Sequence, residues 1–289
     1  MIRPSSLSLL RVVQPCWPTS CPLVVAAWRQ KQSLLRMVSA ATAADSVGAP
    51  PGIGRKRSLA EASAPPQPKL RLTYLDVKGI AEPVRLALFI GGLPFEDRRV
   101  GYEQLAELRR RGQLPCGQLP ILEIDGEAFA QSMALLRWAG RRAGLYPDEL
   151  QLRCDMVEEA LADVRRVLWP QWYGVILGRH PRTSEKLVPL TEGQKGEVQA
   201  ALNDAVLPAR FEQLENLLMA SGGPYFCGEQ LTTCDLSFYV MACGILDGSY
   251  CEGVNPGVLD SCPKLLALRG HIAEHPKVRE WDTGCENVQ

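Results

Sequence analysis

The 289-residue chain carries 32 Lys+Arg against 32 Asp+Glu, a formal charge of zero, with 46% hydrophobic and 22% charged residues. That balance is ordinary for a globular protein of about two domains, and it excludes recognition of nucleic acid or an anionic membrane by bulk charge. No apolar stretch is long enough for a membrane span. Residues 1–68 stand apart: they are rich in Ser, Ala and Pro, and Arg3, Arg11, Arg29, Lys31 and Arg36 all precede the first acid, Asp45. This is the composition of a transit peptide for a mitochondrion or plastid, or else of a disordered extension. Within it, "GRKRSL" at 54–59 reads as a solvated basic cluster more readily than as a nuclear signal or a phosphorylation site at Ser58.

From Lys69 the pattern tightens. "KLRLTYL" has strand character, and "AEPVRLALFIGG" predicts a helix with Pro83 near its start, Val84, Leu86, Leu88 and Phe89 spaced for burial, and a stop at Gly91 and Gly92. "PFEDRRV" predicts a second strand and "YEQLAELRRRG" a weak helix. "LPILEI" and "EAFA" flank Asp125-Gly126, a two-residue hairpin signal, and "QSMALLRWAGRRAGL" predicts a helix ending at Gly144. The order strand, helix, strand, helix, strand, strand, helix is the thioredoxin-type arrangement.

After Tyr146-Pro147 strand signals vanish. "CDMVEEALADVRRVLW" places Met156, Val157, Ala160, Leu161, Val164, Val167 and Leu168 on one face, and "LPARFEQLENLLMAS" repeats the habit. Thr232-Thr233-Cys234-Asp235 predicts a capping box, with Leu231 and Leu236 as its staple. The tail "CPKLLALRGHIAEHPKVREW" predicts one further helix, broken at Pro276. The expected fold class is therefore α/β plus all-α, with a thioredoxin-like domain at 69–146 and a helical domain at 147–289.

Ten cysteines lie between Cys16 and Cys285 without any CxxC spacing, so reduced thiols of an intracellular protein are expected, and no metal centre. His180, His271 and His275 lack metal-like company. Asp155, Glu159 and Asp163 recur at i, i+4 and i+8. Three like charges on one face cost a few tenths of a kcal/mol per neighbouring pair, which a cation from elsewhere would relieve.

Taken together, "LTYLDVKGIAEPVRLAL", "GQLPILEIDG", "QSMALLRWAGR" and "GEQLTTCDLSFYV", in that order, resemble the soluble glutathione transferases over residues 69 to 281. The first two segments are most like the sigma class with its catalytic tyrosine. The resemblance implies that Tyr74 donates its phenol hydrogen bond to the glutathione thiolate. A cysteine thiol has a pKa near 8.5, and each unit by which it is lowered is worth about 1.4 kcal/mol. It implies that Gln118, Leu119 and a cis Pro120 present backbone to the cysteinyl part of glutathione. Gln131 and Ser132, at a helix start, would hold the γ-glutamyl carboxylate. Arg109 would reach the glycyl carboxylate, with Arg110 and Arg111 as competitors.

By the same resemblance the protein is a homodimer in which Glu159 of the partner subunit approaches the glutathione amine; Arg137, Arg141 and Arg142 are candidates for the positive side, and the alternative is a solvated face with Arg166 as local relief. Glutathione is the co-substrate, and a small apolar electrophile binds between the domains along the helix from Asp155 to Trp169. Two departures stand out: Ile80 replaces a common arginine and Leu105 a common tryptophan. The alternatives are a non-catalytic binder of glutathione or hydrophobic ligands, and a sigma-like isomerase of prostaglandin-type endoperoxides. A thiol-disulfide oxidoreductase ranks below these, because Val77-Lys78-Gly79-Ile80 offers no cysteine before the first helix. A cytoplasmic location is expected for the core.

Overall fold

The computed structural model describes residues 67–169 and 186–285, with Gly178 between them. The expected extension and the "GRKRSL" cluster lie outside the described residues. Strand β1 (Leu70–Leu75) leads through a short bend into helix α1 (Glu82–Ile90), then β2 (Phe95–Val100), α2 (Tyr102–Arg110), β3 (Ile121–Ile124), β4 (Glu127–Ala130) and α3 (Ser132–Ala143). The sheet order is β2-β1-β3-β4, with β1 and β2 parallel and the remaining pairs antiparallel.

Alternation along the strands divides the apolar side chains between two faces. Leu70, Leu72, Tyr74 and Leu122 join the large core shared with α1, α3 and the helices that follow. Ile121, one residue from Leu122, packs instead with Leu105, Leu108 and Leu114 under α2. Gly144 closes α3 in the left-handed conformation, φ 72°, as the sequence predicts.

The helical part comprises α4 (Gln151–Trp169), α5 (Glu192–Ala201), α6 (Leu207–Met219), α7 (Thr233–Leu246), α8 (Pro263–Ala273) and α9 (Pro276–Cys285). Val157, Leu161, Val164 and Leu168 of α4 are buried, but Met156 is 47% exposed and leaves the apolar face expected of it. Pro276 does not break the last helix. It opens a new one, because a proline at a helix start gives up only an N–H that would lack a partner anyway. Helix α5 escaped the sequence reading, although Thr191 and Gln194 cap it reciprocally: Thr191 N–H donates to Gln194 Oε1 and Gln194 N–H to Thr191 Oγ1. At α7 the Asp235 carboxylate, fully buried, accepts from the Thr232 N–H at 2.8 Å, the Thr232 hydroxyl at 2.7 Å and the Phe226 N–H at 2.9 Å. This start docks on the end of α3: Thr233 N–H donates to Leu145 O at 2.9 Å, and a Cβ on Gly140 would lie 2.3 Å from Thr233 Cγ2.

Candidate active site

Tyr74 is the last residue but one of β1, with its side chain buried, and its phenol runs beneath the bend that follows. A Cβ on Gly79 would stand 2.8 Å from Tyr74 Oη and 2.9 Å from Cε1, and Gly79 has φ +49°, so glycine is required here twice over. The bend is pinned from the other side by Arg85. This fully buried guanidinium donates to the carbonyls of Val77 (3.1 Å) and Lys78 (3.2 Å), to Glu82 (2.9 Å) and to Asp97 (2.9 Å), and it lies 5.8 Å from the Tyr74 ring centroid. Glu82 in turn accepts the Trp281 indole N–H at 2.8 Å. Sequence reasoning missed this network. Its one signal was an acid and a base at i and i+3 inside an otherwise apolar helix.

The sheet register brings separate motifs to one end of the sheet. Thr73 pairs with Ile121 and Ile121 with Ala130, so the next residues outward are Tyr74, Pro120 and Gln131. The Leu119-Pro120 peptide is cis, as the resemblance implied. Gln131 has φ 77° and ψ 102°, a conformation rare for a side-chain-bearing residue, and it caps α3 without a side-chain hydrogen bond. The backbone N–H groups at Ser132 therefore begin a helix whose dipole favours an anion. Gln118 is exposed and Leu119 half-buried. Arg109 is committed at Nε, which donates to Gly117 O at 2.8 Å and ties down the loop leading to Gln118.

Comparison with known proteins bears directly on this arrangement. A family model described as Glutathione S-transferase, C-terminal domain, matches residues 184–283. Glutathione S-transferase 1 of Ascaris suum is 32% identical over 222 residues, covering 74% of this chain and 95% of its own. The chain belongs to the glutathione S-transferase family. Glutathione S-transferase A3 of Homo sapiens is 27% identical over 217 residues, 74% of this chain and 87% of that one. The crystal structure of the glutathione S-transferase from Ascaris lumbricoides superposes with a TM-score of 0.63 at 27% identity, covering 75% and 97% of the two chains.

The transferase's helical side meets the sheet end through groups the sequence did not single out. Tyr250, in the loop after α7, packs half-buried against the large core. Burial pushes the Tyr250 phenol up to about 12, with Arg165 opposing and Cys251 and Tyr74 adding to the rise. On α4 the three acids are each paired within the chain. Asp155 accepts from Arg137 Nε at 2.9 Å and from the Tyr146 hydroxyl at 2.8 Å. Arg166 bonds Glu159 at 3.1 Å and also Asp163. Relief by Arg166 on the same helix, the local alternative to a partner subunit's cation, thus holds for Glu159 and Asp163. Arg137 belongs to α3 of the same protomer, and the like-charge cost is met locally. Glu159 is nonetheless 68% exposed at its side chain. The two family departures differ in setting: Ile80 is exposed beside the bend, whereas Leu105 fills the apolar contact under α2.

Proposed function

We propose that Tyr74 lowers the pKa of the glutathione thiol and that the thiolate then attacks small, largely apolar electrophiles. The observation that carries this reading is the row Tyr74, Pro120 and Gln131 at one end of the sheet. In this reading the backbone of Gln118 and Leu119 pairs with the cysteinyl unit, Gln131 and Ser132 hold the γ-glutamyl carboxylate, and the Nη end of Arg109 faces the glycyl carboxylate. The motif around Tyr74 favours a sigma-like, tyrosine-type member of the family. A boundary near Tyr146 divides a glutathione-binding domain at 69–146 from a helical domain at 147–289, with the electrophile between them beside Tyr250 and Arg165. The absence of cysteine in Val77-Lys78-Gly79-Ile80 favours transfer over disulfide exchange.

The test is Tyr74→Phe assayed with a generic aromatic electrophile. Loss of one charge-assisted hydrogen bond, roughly 1.5–3 kcal/mol, should lower kcat/KM by about 10- to 150-fold while glutathione still binds. Wild-type turnover in this variant would reject the assignment.

A homodimer in which Glu159 reaches the partner's glutathione amine is part of the same proposal. The exposure of Glu159 supports it, and light scattering that finds a monomer at micromolar concentration would reject it. The described residues contain no helix long and apolar enough to cross a membrane. We place the core in the cytoplasm unless residues 1–68 direct it to an organelle, which their fusion to a fluorescent protein would reveal.

A further inference from the structure

Three cysteines that are far apart in sequence meet in the helical part, away from the glutathione row. Cys154 comes from the first turn of α4, Cys227 from the loop before α7, and Cys234 from the first turn of α7. Cys154 Sγ lies 3.4 Å from Cys227 Sγ, and Cys227 Sγ lies 3.9 Å from Cys234 Sγ. All three sulfurs fall within 4.8 Å of one another. Cys154 and Cys234 are fully buried, and Cys227 keeps 8% exposure.

We propose that Cys154, Cys227 and Cys234 form a three-thiolate site for a soft, thiophilic cation, with Cu(I) as its natural occupant. The size fits: at a metal–sulfur distance of about 2.3 Å, three sulfurs in a trigonal plane stand about 4.0 Å apart. The observed separations need only small side-chain rotations to reach it. Thiolate ligands select soft ions such as Cu(I) and zinc. Structural zinc takes four ligands, and among the described residues no other Cys, His, Asp or Glu joins this group. Three sulfurs and no fourth ligand therefore favour Cu(I).

Positive charge is at hand, because Arg153 Nε donates to the carbonyl of Phe226, the residue before Cys227, at 2.8 Å. Binding displaces the thiol protons to solvent and changes no oxidation state. Cys227, the least enclosed of the three, is the point of entry. The bound ion would bridge the start of α4 to the cap of α7.

The experiment uses the reduced, metal-free full chain. Cd(II) serves as the spectroscopic probe, and Cu(I) is offered from a competing chelator. A thiolate-to-cadmium charge-transfer band should saturate at one equivalent, and Cu(I) should abolish it. Cys154→Ala, Cys227→Ala and Cys234→Ala should each weaken Cd(II) binding at least tenfold, with circular dichroism checking that each variant folds. Cys116→Ala and Cys251→Ala should leave the band unchanged. If a buried variant fails to fold, Cys227→Ala and the wild-type melt decide: excess Cu(I) should raise the wild-type Tm, since an ion that binds only the native state stabilises it. No saturable band, a band that survives Cys227→Ala, or a wild-type Tm indifferent to Cu(I) would reduce the trio to inert core packing and overturn the proposal.

Discussion

Gly79→Ala perturbs the site without touching a reacting group. A Cβ at this position would sit 2.8 Å from Tyr74 Oη and 2.9 Å from Cε1, where ordinary contact begins near 3.4 Å. The phenol or the bend must therefore move by about half an ångström. The bend resists, because Arg85 holds the carbonyls of Val77 and Lys78. The left-handed φ of +49° adds about 1–2 kcal/mol for an L-residue. For a chain of this size that should lower Tm by roughly 2–8 °C. If Tyr74 acts as proposed, the displaced phenol loses some or all of its hydrogen bond to the thiolate, and kcat/KM in a conjugation assay should fall by up to about 150-fold.

The decisive comparison is the double variant Tyr74→Phe/Gly79→Ala. If Gly79 acts only by placing the phenol, the double variant should be little slower than Tyr74→Phe alone. Wild-type kcat/KM in Gly79→Ala, or losses that multiply in the double variant, would refute the argument.

Other consequences follow from groups away from Tyr74. Burial pushes the Glu158 carboxyl from its ordinary 4.5 up to about 7, against the Ser237 hydrogen bond and the neighbouring Arg165. A carboxyl that binds its proton more tightly when folded stabilises the fold fully below its unfolded value, and that contribution, roughly 3 kcal/mol, is lost as pH rises through about 7. Glu158→Gln should flatten the fall in stability between pH 5 and pH 8 seen by urea denaturation; an unchanged slope rejects the assignment, Asp235 keeping a slope of its own. Ser132→Ala should weaken glutathione binding by about 1 kcal/mol, or roughly fivefold, in calorimetry, with Tm little changed. Gly140→Ala should cost about 1–3 kcal/mol of stability, because its methyl meets Thr233 Cγ2 at 2.3 Å, and a wild-type melt would contradict that.

What could be read from the sequence was local. Tyr74 at a strand end, the Asp125-Gly126 turn, Gln131-Ser132 opening a helix and the Thr232 cap each depend on residues within a turn of one another, and each appears where expected. What escaped depends on partners far along the chain. Arg85 drew no reading from the sequence, because its partners Asp97 and the two bend carbonyls lie outside its helix. The partner of Asp155 was hidden because a helical wheel of α4 shows Arg166 but not Arg137, which lies on another helix. Cys154, Cys227 and Cys234 share no short spacing, and only packing of α4 against α7 brings them together. Pro276 carried two physical meanings, breaker and first residue, and a single sequence does not choose between them.

The indole bond from Trp281 to Glu82 joins positions 199 residues apart. Glu82 also holds Arg85, which steadies the bend over Tyr74, so the earliest part of the described fold leans on one of its latest helices. Translation delivers these parts in the opposite order to their dependence. A nascent chain that has made the whole sheet but not yet Trp281 carries a Glu82 without its indole partner and a bend less firmly held. On the proposed role of Tyr74, the bend over its phenol would gain its full support only once synthesis has passed residue 281.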